Sequence, residues 1–205
     1  MPILRSSPPS PFGRKVKIAA AVLGLSDRFT VEMTDTKDPH DTIRKQNPLG
    51  KIPALVLDDG RVLFDSSVIV DYLDHLAGGG KIIPAGPARH DVLRLQALAD
   101  GIMDAALLQV YETRFRPEDK RHPEWLAYQA DKVARGLASL EADLPAPVTP
   151  DATPNVGQIA VACMLGYLDL RFDGAWRASH RKLVDWLAAF ETAVPAFDTT
   201  RPPAA

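Results

Sequence analysis

NPLGKIPALVLDDGRVLFDSS, residues 47–67, is the stretch on which the fold turns. The apolar run IPALVL breaks at DDGR and resumes as VLF. Residues 53–57 and 61–64 therefore read as two hairpin strands joined at Asp59-Gly60, a pair suited to the positive φ of a tight turn. Directly after it, Ile69, Tyr72, Leu73 and Leu76 recur at helical spacing, so the segment predicts strand, strand, helix. Upstream, ILR at 3–5 is a short strand, followed by a Pro-rich turn and a helix from Pro11. Val16, Ala19, Ala20 and Leu23 share one helical face, and Gly24 is placed to end that helix. FTVEM, residues 29–33, reads as another strand, and the residues after it as a polar loop. The N-terminal part is thus β-α-β followed by β-β-α, closing near Gly78-Gly79-Gly80.

Beyond the linker GGGKIIPAGPAR the period changes to helical throughout. Leu98, Ile102 and Ala105 predict a long helix over about 88–115, and Val133, Leu137, Leu140 and Leu144 a second. Ile159, Ala162, Cys163, Gly166, Tyr167 and Leu170 mark a third, headed by TPNVGQ, where Asn155 and Gln158 have capping-box spacing. Leu183, Trp186, Leu187 and Phe190 mark a fourth. The expected architecture is an α/β domain over residues 1–80 and an all-α domain over 88–205.

Composition narrows the function. A chain of 205 residues can bury a core without covalent staples, and its single cysteine, Cys163, permits no internal disulfide. That usage suits a reducing, cytoplasmic setting, and the N-terminus MPILRSSPPS lacks the apolar core of a signal peptide. No apolar run approaches a membrane span, and a net charge of −2 argues against nucleic acid as partner. The five histidines show no metal-ligand spacing, so no metal is expected. Cys163 lies on an apolar stripe and reads as a buried, inert thiol, while Arg14, Lys15 and Lys17 read as a solvated helix face.

Three short motifs can carry chemistry. Ser10 is a favoured N-cap and Pro11 suits the first helical position, so SPF reads first as a capped helix. The same helix tip, with free N–H groups and the positive end of the macrodipole, would favour an anion such as a thiolate. NPLGKIP is either a plain turn into a strand or, if Pro53 is cis, a place where Ile52 offers its backbone N–H and C=O to an extended peptide. In FDSS, Asp65, Ser66 and Ser67 are capping residues that also suit the carboxylate and ammonium of a small zwitterionic peptide.

In order and spacing, SPF, NPLGKIPAL and FDSSVIVDYL resemble the soluble glutathione transferases, and the resemblance extends through the helical half. It implies an α/β thioredoxin-like N-terminal domain, an all-α C-terminal helical domain and a homodimer. It also implies glutathione as cosubstrate, attacking a small hydrophobic electrophile, with peroxide reduction as a related outcome. A noncatalytic binding or regulatory member of the fold is the alternative. Carried over by position, the resemblance makes Ser10 the catalytic donor to the glutathione thiolate. Phe12, Lys51, Ile52, Pro53, Asp65 and Ser66 complete the glutathione-binding set, Lys51 toward the glycyl carboxylate and Asp65 with Ser66 toward the γ-glutamyl end. Asp100 and Asp104, at i and i+4, share a helix face and read as solvated or dimer-facing, while the resemblance implies that acids on this helix can reach the glutathione of the partner subunit. Met103, Leu107, Tyr111 and Trp176 are the candidates for the electrophile's pocket. Ser6 and Ser7 compete with Ser10 for the thiolate, and Ser10 is preferred because it directly precedes Pro-Phe.

Overall fold

The computed structural model describes residues 1–203. Its first part is a four-stranded mixed sheet in the order β2-β1-β3-β4. Strand β1 (Ile3–Ser6) leads through helix α1 (Pro11–Val22) to β2 (Thr30–Met33), which pairs parallel to it, Leu4 opposite Val31. On the other side β3 (Ala54–Val56) runs antiparallel to β1, with Leu4 opposite Leu55, and β4 (Val62–Leu63) closes the hairpin. Asp59 and Gly60 form the turn, Gly60 at φ +84° and the Asp59 carboxylate accepting from Arg61 N at 3.0 Å. Helix α1 and helix α3 (Ser66–Leu76) cover one face, burying Leu4 and Leu55 under Val16, Ala19, Ile69 and Leu73.

Two details differ from the expected pattern. Leu76 is exposed, and the buried face of α3 is Ile69, Val70, Leu73 and Asp74. The Asp74 carboxylate accepts the N–H groups of Gly80, Lys81 and Ile82 at 2.8–2.9 Å, which turns that end of the helix toward the glycine run. The polar loop after β2 contains a short helix, α2 (Ile43–Gln46). It is organised by buried Arg5, which donates from Nε to Thr34 and from its two terminal nitrogens to Thr42, Gln46 and Asp41 at 2.7–2.9 Å.

The second part is helical: α4 (Ala88–Phe115), α5 (Pro123–Ala142), α6 (Val156–Phe172), α7 (Arg181–Ala193) and short α8 (Ala196–Thr199). Helix α6 is the buried centre, and both halves of its capping box form: Gln158 N donates to Asn155 Oδ1 at 3.0 Å and Asn155 N to Gln158 Oε1 at 2.8 Å. Helices α4 and α6 run side by side in the same direction, because Gly157 at the head of α6 lies against Val92 and Leu95 at the head of α4. A Cβ at Gly157 would come within 2.9 Å of the Val92 carbonyl, so only glycine allows this approach.

Helix α1 runs opposite to α6: its end at Ala21 and Val22 shares a groove with Thr153 and Pro154, while Arg14 reaches Gly166. The tip of α1 therefore points at the C-terminal halves of α4 and α6. This docking overturns the reading of Arg14 and Lys15 as solvated, since the helical part covers that flank. Lys15 is fully buried, its Nζ 2.7 Å from both Asp100 oxygens, and Arg14 donates to the Phe197 carbonyl with its guanidinium 3.8 Å above the Phe197 ring. Among the described residues no helix is long and apolar enough to cross a membrane.

Candidate functional site

At the tip of α1 the Ser10 hydroxyl oxygen accepts from Gly13 N at 3.1 Å, so the cap predicted for this helix is present. A serine hydroxyl accepts through lone pairs and donates through one proton, so capping leaves that proton free. The cap holds the oxygen and the proton remains to be given to an incoming anion. The Phe12 N–H beside it makes no hydrogen bond among the described residues and adds a second free donor. Ser6, one of the two competing serines, is fully buried behind the tip, its hydroxyl without a partner and directly against Gly13. Only Ser7 and Ser10 reach the surface there.

The second motif forms a turn fixed by Asn47, whose Oδ1 accepts from Leu49 N at 3.0 Å and whose Nδ2 donates to the Lys51 carbonyl at 2.9 Å. The Ile52–Pro53 peptide is cis, and the N–H and C=O of Ile52 make no hydrogen bond among the described residues. An unpaired backbone edge of that kind accepts an extended peptide in the manner of an added strand. Lys51 is exposed beside it. In the third motif, Asp65 caps α3 by accepting from Ser67 N at 2.9 Å through one oxygen, leaving the other oxygen outward. Ser66 is the first residue of α3 and is buried.

A polar network ties these motifs to the helical part. Asp100 on α4 receives the Lys15 ammonium and the Ser67 hydroxyl at 3.4 Å, and Gln96 on α4 donates to Ser67 at 3.0 Å. Asp100 is therefore an internal partner rather than a solvated acid. One turn on, Asp104 has its carboxyl pushed up by partial burial first and by the Asp100 charge second, against the pull of Lys51 and Lys15. Cys163, fully buried, is pushed up to about 12 by desolvation, with Arg14 and Lys15 only partly offsetting it. A thiol so held is not a nucleophile near neutral pH.

Of the four residues expected at a second pocket, Met103, Leu107 and Tyr111 follow at i, i+4 and i+8 on α4, and Trp176 lies in the short turn after α6. Met103 is fully buried in the core, and Trp176 is enclosed between α6 and α7, its indole N–H bonded to Asp169 at 2.9 Å. Leu107 is half-buried, and Tyr111 stands at a groove of about 740 Å³ with Leu108, Phe115, Trp125 and Tyr128. Tyr111 packs edge-on to Phe115, ring centres 5.3 Å apart. Sequence reading missed Arg114, Tyr167 and Arg171, which flank Tyr111 from α4 and α6. Tyr167 had been placed on an apolar stripe, and no linear motif marks the two arginines. Among the described residues no group of three His, Cys, Asp or Glu is arranged to hold a metal ion.

An exposed helix tip with a half-used serine, an unpaired backbone edge and an acid-serine helix start all stand on a four-stranded sheet docked to helices. Compared with known proteins, residues 9–76 match the family model of the glutathione S-transferase N-terminal domain and residues 103–189 that of the C-terminal domain. The chain belongs to the glutathione S-transferase family. It is 36% identical over 163 residues to the uncharacterized GST-like protein YibF of Escherichia coli K12, 79% of each chain. It also resembles a glutathione transferase family member from Pseudomonas fluorescens Pf-5 solved with bound glutathione, at 40% identity and a TM-score of 0.87 over 99% of this chain and 100% of that one. The same Pseudomonas protein has been solved with S-(propanoic acid)-glutathione, with a TM-score of 0.84, 40% identity and the same two coverages.

Proposed function

We propose that this protein is a glutathione transferase in which Ser10 stabilises the glutathione thiolate for attack on an electrophile held against α4 and α6. The observation that carries this reading is the half-used Ser10: its oxygen is fixed by the Gly13 N–H and its proton is free. Ile52 beside cis-Pro53 pairs with the cysteinyl unit, Lys51 meets the glycyl carboxylate, and the free oxygen of Asp65 with Ser66 takes the γ-glutamyl end. Phe12 contributes its backbone N–H at the sulfur. The thiolate then forms the new carbon–sulfur bond while the leaving group departs with its electron pair, and no covalent enzyme intermediate arises. Lowering the thiol from about 8.5 to about 6.5 corresponds to roughly 2.7 kcal/mol and makes the thiolate the major form at neutral pH. Preorganised donors at the sulfur and orientation of the pair supply the rest. Glutathione-bound relatives support the ligand, and the propanoic acid adduct shows that a relative accommodates a substituent on that sulfur. A homodimer with one such site per subunit completes the reading.

The test is calorimetric titration with glutathione alongside conjugation assays on chloronitrobenzene electrophiles and a peroxide. Wild type is expected to bind glutathione and to conjugate well above the uncatalysed rate. Ser10→Ala is expected to lose about 10- to 100-fold in turnover with little loss of glutathione affinity, as for removal of one hydrogen bond to a charged group. Binding without turnover on any of these substrates would replace the transferase reading with that of a binding protein.

A further inference from the structure

We infer that the electrophile this protein takes carries a carboxylate, bound by Arg171 of α6 with Arg114 of α4. The inference rests on the glutathione reading above and names the substrate class of the same site. Arg171 is half-buried, its Nε is shielded from solvent without a hydrogen-bond partner, and among the described residues neither Arg171 nor Arg114 forms an ion pair. Buried polar groups in folded chains are ordinarily satisfied, so a shielded guanidinium N–H with no acceptor, on an arginine with no ion pair, leaves capacity for an anion. Elsewhere in this chain the buried Arg5 reaches four side-chain acceptors and the buried Arg14 has the Phe197 carbonyl, while Arg177, half-buried like Arg171, has both oxygens of Asp169.

The two free guanidinium groups belong to one cluster. Arg171 lies 5.9 Å from the Tyr167 ring centre and Arg114 lies 5.8 Å from that of Tyr111. Tyr167 senses the charges of Arg171 and Arg114 and the phenol of Tyr111, so the four side chains share one neighbourhood between the C-terminal halves of α4 and α6. That is the end of the helical part at which the tip of α1 is aimed, since α1 runs antiparallel to α6 with Arg14 at Gly166. A planar guanidinium matches a carboxylate with two parallel hydrogen bonds, and the tyrosine rings offer an apolar wall to the rest of the molecule. The acids near the sulfur site do not pair with this cluster: Asp100 is held by Lys15, and Asp104, one turn further along α4, forms no ion pair with either arginine among the described residues.

The experiment measures binding of product analogues by calorimetry, in two matched pairs: S-(2-carboxyethyl)glutathione against S-propylglutathione, and S-(4-carboxybenzyl)glutathione against S-benzylglutathione. In wild type the acid of at least one pair is expected to bind about 10- to 100-fold more tightly than its neutral counterpart. Arg171→Met is expected to bring the acid down to the affinity of the neutral ligand, and Arg114→Met, at an exposed position, to narrow the gap. Binding of the acids no tighter than the neutral ligands in wild type would overturn the inference, as would a preference that survives both substitutions. The wild-type comparison decides even if Arg171→Met fails to fold. Failure of glutathione and all four conjugates to bind would instead remove the glutathione reading on which the inference stands.

Discussion

Arg5 is buried and Arg171 half-buried, and the chain surrounds them in different ways. Around Arg5 the chain supplies Thr34, Thr42, Gln46 and Asp41, with Glu32 3.5 Å away, so the guanidinium is spent on holding a loop. Around Arg171 it supplies the Tyr167 ring and hydroxyl but no ion pair, and the Nε hydrogen is left without an acceptor. The same contrast separates the flank of α1 from its tip: Lys15 is saturated by Asp100, whereas the Ser10 proton and the Phe12 N–H are left over. Residual capacity at an accessible group is what a ligand can complete, whereas a sealed unpartnered group such as the Ser6 hydroxyl is a cost of about 1–3 kcal/mol that the fold carries.

The largest effect is expected on the saturated side. Asp100→Ala leaves the fully buried Lys15 ammonium without its partner, and is expected to lower unfolding stability by about 3–5 kcal/mol in denaturant titration. An Asp100→Ala protein as stable as wild type would show that the paired flank is not structural in the sense drawn here. The next largest effects are the losses described for Ser10→Ala in turnover and for Arg171→Met in selectivity, which should leave unfolding stability far less changed than Asp100→Ala does.

The smallest effect sharpens the boundary between the two regions. Asp104 holds its proton to higher pH in the folded state than its ordinary value of 3.8, so the native state binds more protons there than the unfolded chain. Its contribution to stability therefore falls as pH rises from 3.8 through the higher folded value, where the charged form is disfavoured. Asp104→Asn is expected to match wild type below that window and to be modestly more stable above it. A variant whose stability tracks wild type across the whole range would show that neither burial nor the Asp100 charge disfavours the ionised Asp104.

Much of this was legible in the sequence, for local reasons. Asp59-Gly60 between apolar runs specified the hairpin, Ser10-Pro11 the head of α1, and Asn155 with Gln158 the cap of α6, because each depends on neighbours within four residues. The three motifs that frame the candidate site were visible for the same reason. What escaped depends on docking between distant segments. The burial of Lys15 needs Asp100, 85 residues away, and the burial of Arg14 needs Phe197, 183 residues away, so a run of three cations looked solvated. Met103 and Trp176 fit an apolar pocket as well as a core until the packing of α4, α6 and α7 closed over them. Arg114 and Arg171 stand out only in the folded chain, where neither forms an ion pair among the described residues.

The central claim is that a ligand sulfur is kept ionised at the tip of α1 by the Ser10 proton. Following the ultraviolet absorbance of the glutathione thiolate against pH, with protein in excess, tests it most directly. The account predicts a midpoint near 6.5 for wild type, about two units below the free thiol, moving back toward about 8.5 in Ser10→Ala. A wild-type midpoint at the free value, or one that Ser10→Ala leaves in place, would contradict it.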